Sequence, residues 1–199
     1  MVIREVQFVK SGTRPDHYPE SSLPEIAFAG RSNAGKSSLM NKLVNRKDIV
    51  KVSNTPGRTQ LLSWFLVNQR LHLCDLPGYG FARVPGAMKA SWGKMIETYL
   101  KERETLTALV LITDVRRGFE DDDRMLLEAA AGFGLHCILV ATKIDRITRN
   151  ELRNRQTAIG REMQLNPDRD VIWFSSKTGA GRDELWRRIN GLMPDVSEA

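Results

Sequence analysis

Apolar runs recur along the chain at a spacing that predicts strands alternating with helices. Glu25 to Ala29 is the first run with the character of a buried strand, and it leads directly into Gly30. Leu61 to Val67 and Leu71 to Cys74 are parted only by Asn68, Gln69 and Arg70, the pattern of a hairpin. Ala108 to Thr113 and Leu135 to Thr142 are nearly continuous apolar runs, as expected of central strands covered on both faces. Val171 to Phe174 supplies the last strand. Met88, Trp92, Met95, Ile96, Tyr99 and Leu100 recur at three- and four-residue spacing after Pro85-Gly86 and predict an amphipathic helix. Thr148-Arg149-Asn150-Glu151 is a capping box that opens a helix running toward Met163. Leu185, Trp186, Ile189 and Leu192 mark a final helix. The alternation predicts an α/β, three-layer fold: a six-stranded, mostly parallel sheet flanked by helices, with ligands at the carboxyl ends of its strands. Residues 1–24 read as an extension before the first strand, 25–193 as one domain, and 194–199 as a frayed tail.

Composition narrows the class without deciding it. The 199 residues are 41% hydrophobic and 27% charged, near globular averages, which excludes wholesale disorder. No apolar stretch approaches the length of a membrane span, and Met1 to Lys10 alternates apolar and charged residues where a signal peptide would carry an apolar core. Cys74 and Cys137 each lie inside an apolar run, which predicts two buried, reduced thiols in a cytoplasmic protein. The formal charge of +6 fits either a soluble surface or a polyanionic partner such as RNA.

The chemistry lies in three short motifs. Gly30-Arg31-Ser32-Asn33-Ala34-Gly35-Lys36-Ser37 fits G-x-x-x-x-G-K-[ST], and it follows a strand and opens a helix, with Ser38 next in line. Its glycines let backbone N–H groups turn toward phosphate oxygens, and the helix N-terminus adds partial positive charge. Lys36 is then the group for the β- and γ-phosphates, and the Ser37 hydroxyl is a ligand for Mg²⁺. Asp75-Leu76-Pro77-Gly78 follows the second strand of the hairpin. By itself such a tetrapeptide occurs by chance about once in a chain of this size. Placed after the phosphate loop, it predicts a carboxylate holding Mg²⁺ through water and a Gly78 N–H meeting the γ-phosphate. Thr142-Lys143-Ile144-Asp145 closes a strand; its carboxylate can accept from guanine N1–H and the 2-amino group, donors that adenine lacks. Lys143 is expected to lie along the base and hold the phosphate loop, and Ser175-Ser176-Lys177 to offer backbone N–H groups to the guanine oxygen. Asn45 to Gln60 is basic and turn-rich, and spacing leaves Thr55 and Thr59 both open as a switch threonine.

Together these motifs are similar to those of the P-loop GTPases of the TrmE-Era-EngA-EngB-septin-like group, and within it the chain resembles the bacterial EngB (YihA/YsxC) family. The resemblance rests on Gly30 to Ser38, Thr55 to Gln60, Asp75 to Gly80, Thr142-Lys143-x-Asp145, Phe174-Ser175-Ser176, and Val84-Pro85 before the Trp92 helix. It covers about Phe8 to Leu192. It implies a G domain that binds GTP and GDP with Mg²⁺ held by Ser37, Thr59 and Asp75, and nucleotide contacts from Gly57, Arg58, Thr59, Gln60 and Leu61. It further implies binding to the large ribosomal subunit or its precursor and a role in cell division and septation; a monomer is expected. Arg46, Lys47, Lys51, Arg58, Arg149, Arg153 and Arg155 are the candidates for rRNA.

Two positions depart from the commoner GTPase pattern. Thr142 stands where many GTPases carry asparagine, weakening one polar contact. Tyr79 follows Gly78 where many carry a water-positioning glutamine, so slow intrinsic hydrolysis is expected. In related GTPases an asparagine at the position of Asn33 ligates K⁺, which implies a cation that assists Lys36 and Thr59 in catalysis. A GTP-sensing, RNA-binding module with negligible hydrolysis is the second reading. An ATPase or small-molecule kinase is disfavoured by Asp145.

Overall fold

The computed structural model describes residues 1–50, 61–80 and 86–193, with only the backbone for 86–90. Seven strands form one sheet: β1 (Val6–Gly12), β2 (Glu25–Gly30), β3 (Leu62–Val67), β4 (Leu71–Asp75), β5 (Leu106–Asp114), β6 (His136–Thr142) and β7 (Val171–Trp173). Their order is β1-β3-β4-β2-β5-β6-β7. From β4 onward the strands pair in parallel, while β1–β3 and β3–β4 are antiparallel. The helices are α1 (Lys36–Leu43), α2 (Gly86–Glu102), α3 (Asp121–Gly132), α4 (Arg149–Met163), the single turn α5 (Pro167–Asp170) and α6 (Arg182–Leu192).

Among the described residues the sheet has seven strands, not six. The added one is β1, built from the segment expected to be an extension. Phe8 stacks edge-on against Phe65 of β3 at 5.7 Å, and the hairpin turn fastens the residues just before β1. Asn68 and Gln69 both adopt positive φ, the two-residue turn that suits a twisted hairpin. The Asn68 side chain accepts from the N–H groups of Arg4 (2.8 Å) and Glu5 (3.1 Å) and donates to the Val2 carbonyl (2.7 Å).

Alternation along the strands divides the core into two faces. Leu109 and Leu111 of β5 face a cluster with Trp64, Tyr99, Leu126 and Ile159, which brings α2, α3 and α4 to one side. Val110 and Ile112 face Phe28, Leu39, Met40, Leu185 and Trp186, which brings α1 and α6 to the other. Each fully buried side chain of this size stabilises the fold by about 1.5–3 kcal/mol relative to exposure. Glu25 is fully buried and accepts from Trp64 Nε1 (2.7 Å), Arg103 Nε (3.0 Å) and the Tyr99 hydroxyl, which pins the end of α2 to the start of β2.

The expected thiol pair is corrected in one member. Cys74 is buried, but Cys137 is exposed, because β6 enters the core only at Ile138. The capped helix forms as expected, with Thr148 accepting from the Glu151 N–H and Glu151 reaching back to Thr148. No described helix is long and apolar enough to cross a membrane.

Candidate functional site

Four loops meet at the carboxyl ends of β2, β4, β6 and β7. The first runs from Gly30 to Lys36, between β2 and α1. A Cβ on Gly30 would stand 2.5 Å from the Ile112 carbonyl oxygen of the neighbouring strand, so the loop can begin beside β5 only with glycine. Asn33 turns the chain at φ 64°, and Gly35 precedes the helix at φ 97°. Lys36 and Ser37 open α1, and Ser38 follows, exposed.

The second loop leaves β4. Leu76 N–H continues the sheet by donating to the Phe28 carbonyl at 3.0 Å. This places Asp75 against Lys36: the two form an ion pair, with the lysine side chain 10% and the aspartate 18% exposed. The residue expected on phosphates and the carboxylate expected near Mg²⁺ are therefore adjacent. The Pro77 carbonyl accepts from Trp92 Nε1 of α2 at 3.2 Å. Beyond Gly78, the Tyr79 carbonyl accepts from the Ser32 N–H at 2.9 Å, which binds this loop to the first.

The third loop follows β6. Thr142 is buried, and its hydroxyl lies within hydrogen-bonding reach of the Ala34 carbonyl and, at 2.9 Å, the Thr113 carbonyl. Threonine at this position thus ties β6 to both β5 and the phosphate loop. Lys143 adopts φ 61°, and its Nζ donates to the Asn33 carbonyl and pairs with Asp114 Oδ2 at 3.0 Å. Burial opposes charge on Asp114, but bonds from Arg116 and Lys143 outweigh it and hold the carboxyl well below the usual carboxylate range. Ile144 and Asp145 lie in a single helical turn, with Asp145 exposed. Asp145 Oδ1 accepts from Ser175 Oγ at 2.6 Å, and Ser175 Oγ in turn accepts from the Thr178 N–H at 3.1 Å. Phe174 and Ser175 are buried beside the third loop, with Ser176 partly so; the Phe174 N–H donates to Ala141 at 2.8 Å.

The sequence motifs thus converge, save those outside the described residues. Thr55, Gly57, Arg58, Thr59, Gln60 and Lys51 fall there, while Leu61 is exposed just before β3. Asp114, which seats Lys143, and Asp123, which meets Tyr79, are functional neighbours the sequence analysis missed. Asp114 had one signal, its place at the carboxyl end of a central strand. Among the basic candidates, Arg46, Lys47, Arg149 and Arg153 are exposed. Arg155 is partly buried, and its Nε donates to the Val115 carbonyl at 2.8 Å.

Comparison with known proteins decides the class of this site. A family model described as "50S ribosome-binding GTPase" matches residues 25–143. The "Probable GTP-binding protein EngB" of Geobacter sulfurreducens is 50% identical over 97% of this chain and 93% of its own length. The chain belongs to the EngB family of GTP-binding proteins. The EngB of Bacillus thuringiensis is 42% identical over 96% of both chains. A crystal structure of a probable EngB superposes with a TM-score of 0.69 at 23% identity, covering 84% of this chain and 97% of that one, and so shares the fold. The P-loop GTPase fold expected from the motifs is the fold observed.

Proposed function

We propose that this EngB-family protein is a Mg²⁺-dependent GTPase switch in large-subunit ribosome assembly, and through it serves normal division and septation. The observation that carries the proposal is the convergence of phosphate and guanine motifs through the Lys143–Asn33 contact. The description of the matching family as ribosome-binding, together with a charge of +6, supports rRNA as the partner. Arg46, Lys47, Arg149 and Arg153 form the exposed candidates for that contact, and the protein is taken to act as a cytoplasmic monomer.

The residues present fit a magnesium ion. Ser37 and Asp75 are hard oxygen donors, and no cluster of three acidic, histidine or cysteine side chains occurs among the described residues. Mg²⁺ commonly takes one or two protein ligands and completes its shell with phosphates and water, with Thr59 as the further candidate. Held by these oxygens, Mg²⁺ would supply charge neutralisation for the phosphates. Lys36 sets its ammonium on the β- and γ-phosphates, backbone N–H groups from Asn33 to Ser38 cradle them, and Asp145 reads the guanine edge. Positioning and charge stabilisation carry such a reaction. Asn33 offers a carboxamide oxygen of the kind K⁺ takes, and a cation held there would partly neutralise the charge of the transition state.

Tyr79 favours the second reading, a GTP sensor with negligible hydrolysis alone. It is 7% exposed, and its hydroxyl donates to Asp123 in the core, so its ring orients no attacking water. Single-turnover hydrolysis with and without large subunits separates the two readings. Measurable turnover of isolated protein supports the enzyme; turnover only with subunits supports the sensor.

A further inference from the structure

Tyr79 does more than occupy the place of a glutamine. Its hydroxyl donates to Asp123 Oδ1, and Asp123 is fully buried in the first turn of α3. The other oxygen of Asp123 accepts from the Glu120 N–H at 2.8 Å, so both carboxylate oxygens are used. Burying a carboxylate is costly unless donors satisfy it, and here two donors do. The Tyr79 ring packs on Trp92 with centroids 5.2 Å apart. Arg31, the second residue of the phosphate loop, bridges in parallel to Tyr79, and its guanidinium reaches Glu120 at 3.1 Å and Asp122 at 3.5 Å. The start of α3 therefore grips the phosphate loop through Arg31 and the Asp75–Gly80 loop through Tyr79.

The consequence falls on Gly78. A Cβ there would lie 3.1 Å from Ser32 Oγ and 3.4 Å from Ser32 N and Cα, so its backbone closely approaches the phosphate loop. Anchors on the next residue, the Ser32–Tyr79 bond and the Tyr79–Asp123 bond, fix that approach. We propose that Asp123 is a positioning residue: through the Tyr79 hydroxyl it sets the Gly78 peptide against the phosphate loop, and so sets the preference for GTP over GDP. The proposal rests on GTP binding at this site and on Gly78 meeting the γ-phosphate. It adds a structural role for α3, whose start touches the phosphate loop through Arg31 and the Gly78 loop through Tyr79.

The test is titration of the full chain with a fluorescent GDP and a fluorescent non-hydrolysable GTP analogue. Tyr79→Phe removes one oxygen and keeps the ring in its packing. It is expected to weaken the triphosphate analogue roughly 10- to 100-fold, the scale of removing a hydrogen bond to a charged group, with GDP affinity changed less than about twofold. Asp123→Ala gives the same selective loss, and Asp123→Asn, which keeps an oxygen for the hydroxyl, recovers most of it. Tyr79→Phe combined with Asp123→Ala loses no more than Asp123→Ala alone, because the two act as one pair. Gly78→Ala is measured beside them. If it lowers triphosphate affinity selectively while Tyr79→Phe and Asp123→Ala shift both nucleotides equally or neither, the positioning role is overturned and the Gly78 contact stands. If Gly78→Ala leaves the preference intact, the γ-phosphate contact fails and the positioning role falls with it.

Discussion

Lys143 Nζ, on the loop after β6, donates to the carbonyl oxygen of Asn33 in the phosphate loop and pairs with Asp114 Oδ2 at 3.0 Å. One ammonium thus fixes the guanine loop against the phosphate loop, while Asp114 fixes the ammonium. Lys143→Ala removes a charge-assisted contact of about 1.5–3 kcal/mol, corresponding to roughly 10- to 100-fold in affinity. Because the contact precedes any γ-phosphate, GDP and GTP affinities should fall together in nucleotide titrations.

Asp145 is held by Ser175 Oγ at 2.6 Å, which leaves acceptor capacity for two guanine donors. Asp145→Asn replaces acceptor oxygen with a donor amide, and GTP affinity should fall by at least about 100-fold, the scale of a buried polar mismatch. Xanthosine triphosphate, with an oxygen in place of the 2-amino group, should bind the variant better than GTP. Ser175→Ala should cost about 0.5–1.5 kcal/mol, read as roughly two- to tenfold weaker GTP binding.

The phosphate loop, the Asp75 loop and the guanine loop were legible because each is a contiguous motif at the end of an apolar strand. The hairpin and the Thr148 cap were legible for the same local reason. β1 was overlooked although Val6 and Phe8 alternate as an edge strand requires. Its partner face is supplied by β3, more than fifty residues later, so no local run marks it. α3 was passed over because Met125, Leu126 and Leu127 are consecutive and make no stripe; its first turn of Asp121, Asp122 and Asp123 was the available sign. The Tyr79–Asp123 bond joins side chains 44 residues apart, a relationship that only folding creates.

A cation at Asn33 should make GTP hydrolysis depend on the monovalent ion. The rate should be higher in K⁺ than in Na⁺ buffer, and Asn33→Ala should abolish the difference while retaining nucleotide binding. Equal rates in the two buffers for the unaltered protein would remove the potassium proposal.

Arg149 and Arg153 stand one turn apart on the exposed face of α4, and neither is in an ion pair among the described residues. If they bind rRNA phosphates, Arg149→Ala with Arg153→Ala should weaken binding to large subunits. The slope of log affinity against log salt should become shallower by about one for each phosphate no longer neutralised. GTP affinity should not change, since neither side chain belongs to the nucleotide loops.

Co-sedimentation with purified large ribosomal subunits, in GDP and in a non-hydrolysable GTP analogue, tests the switch most directly. The protein is expected to pellet with subunits in the GTP analogue and to stay largely in the supernatant in GDP. Equal pelleting in both nucleotides, or none in either, would contradict a GTP-controlled ribosomal switch while leaving guanine-nucleotide binding intact.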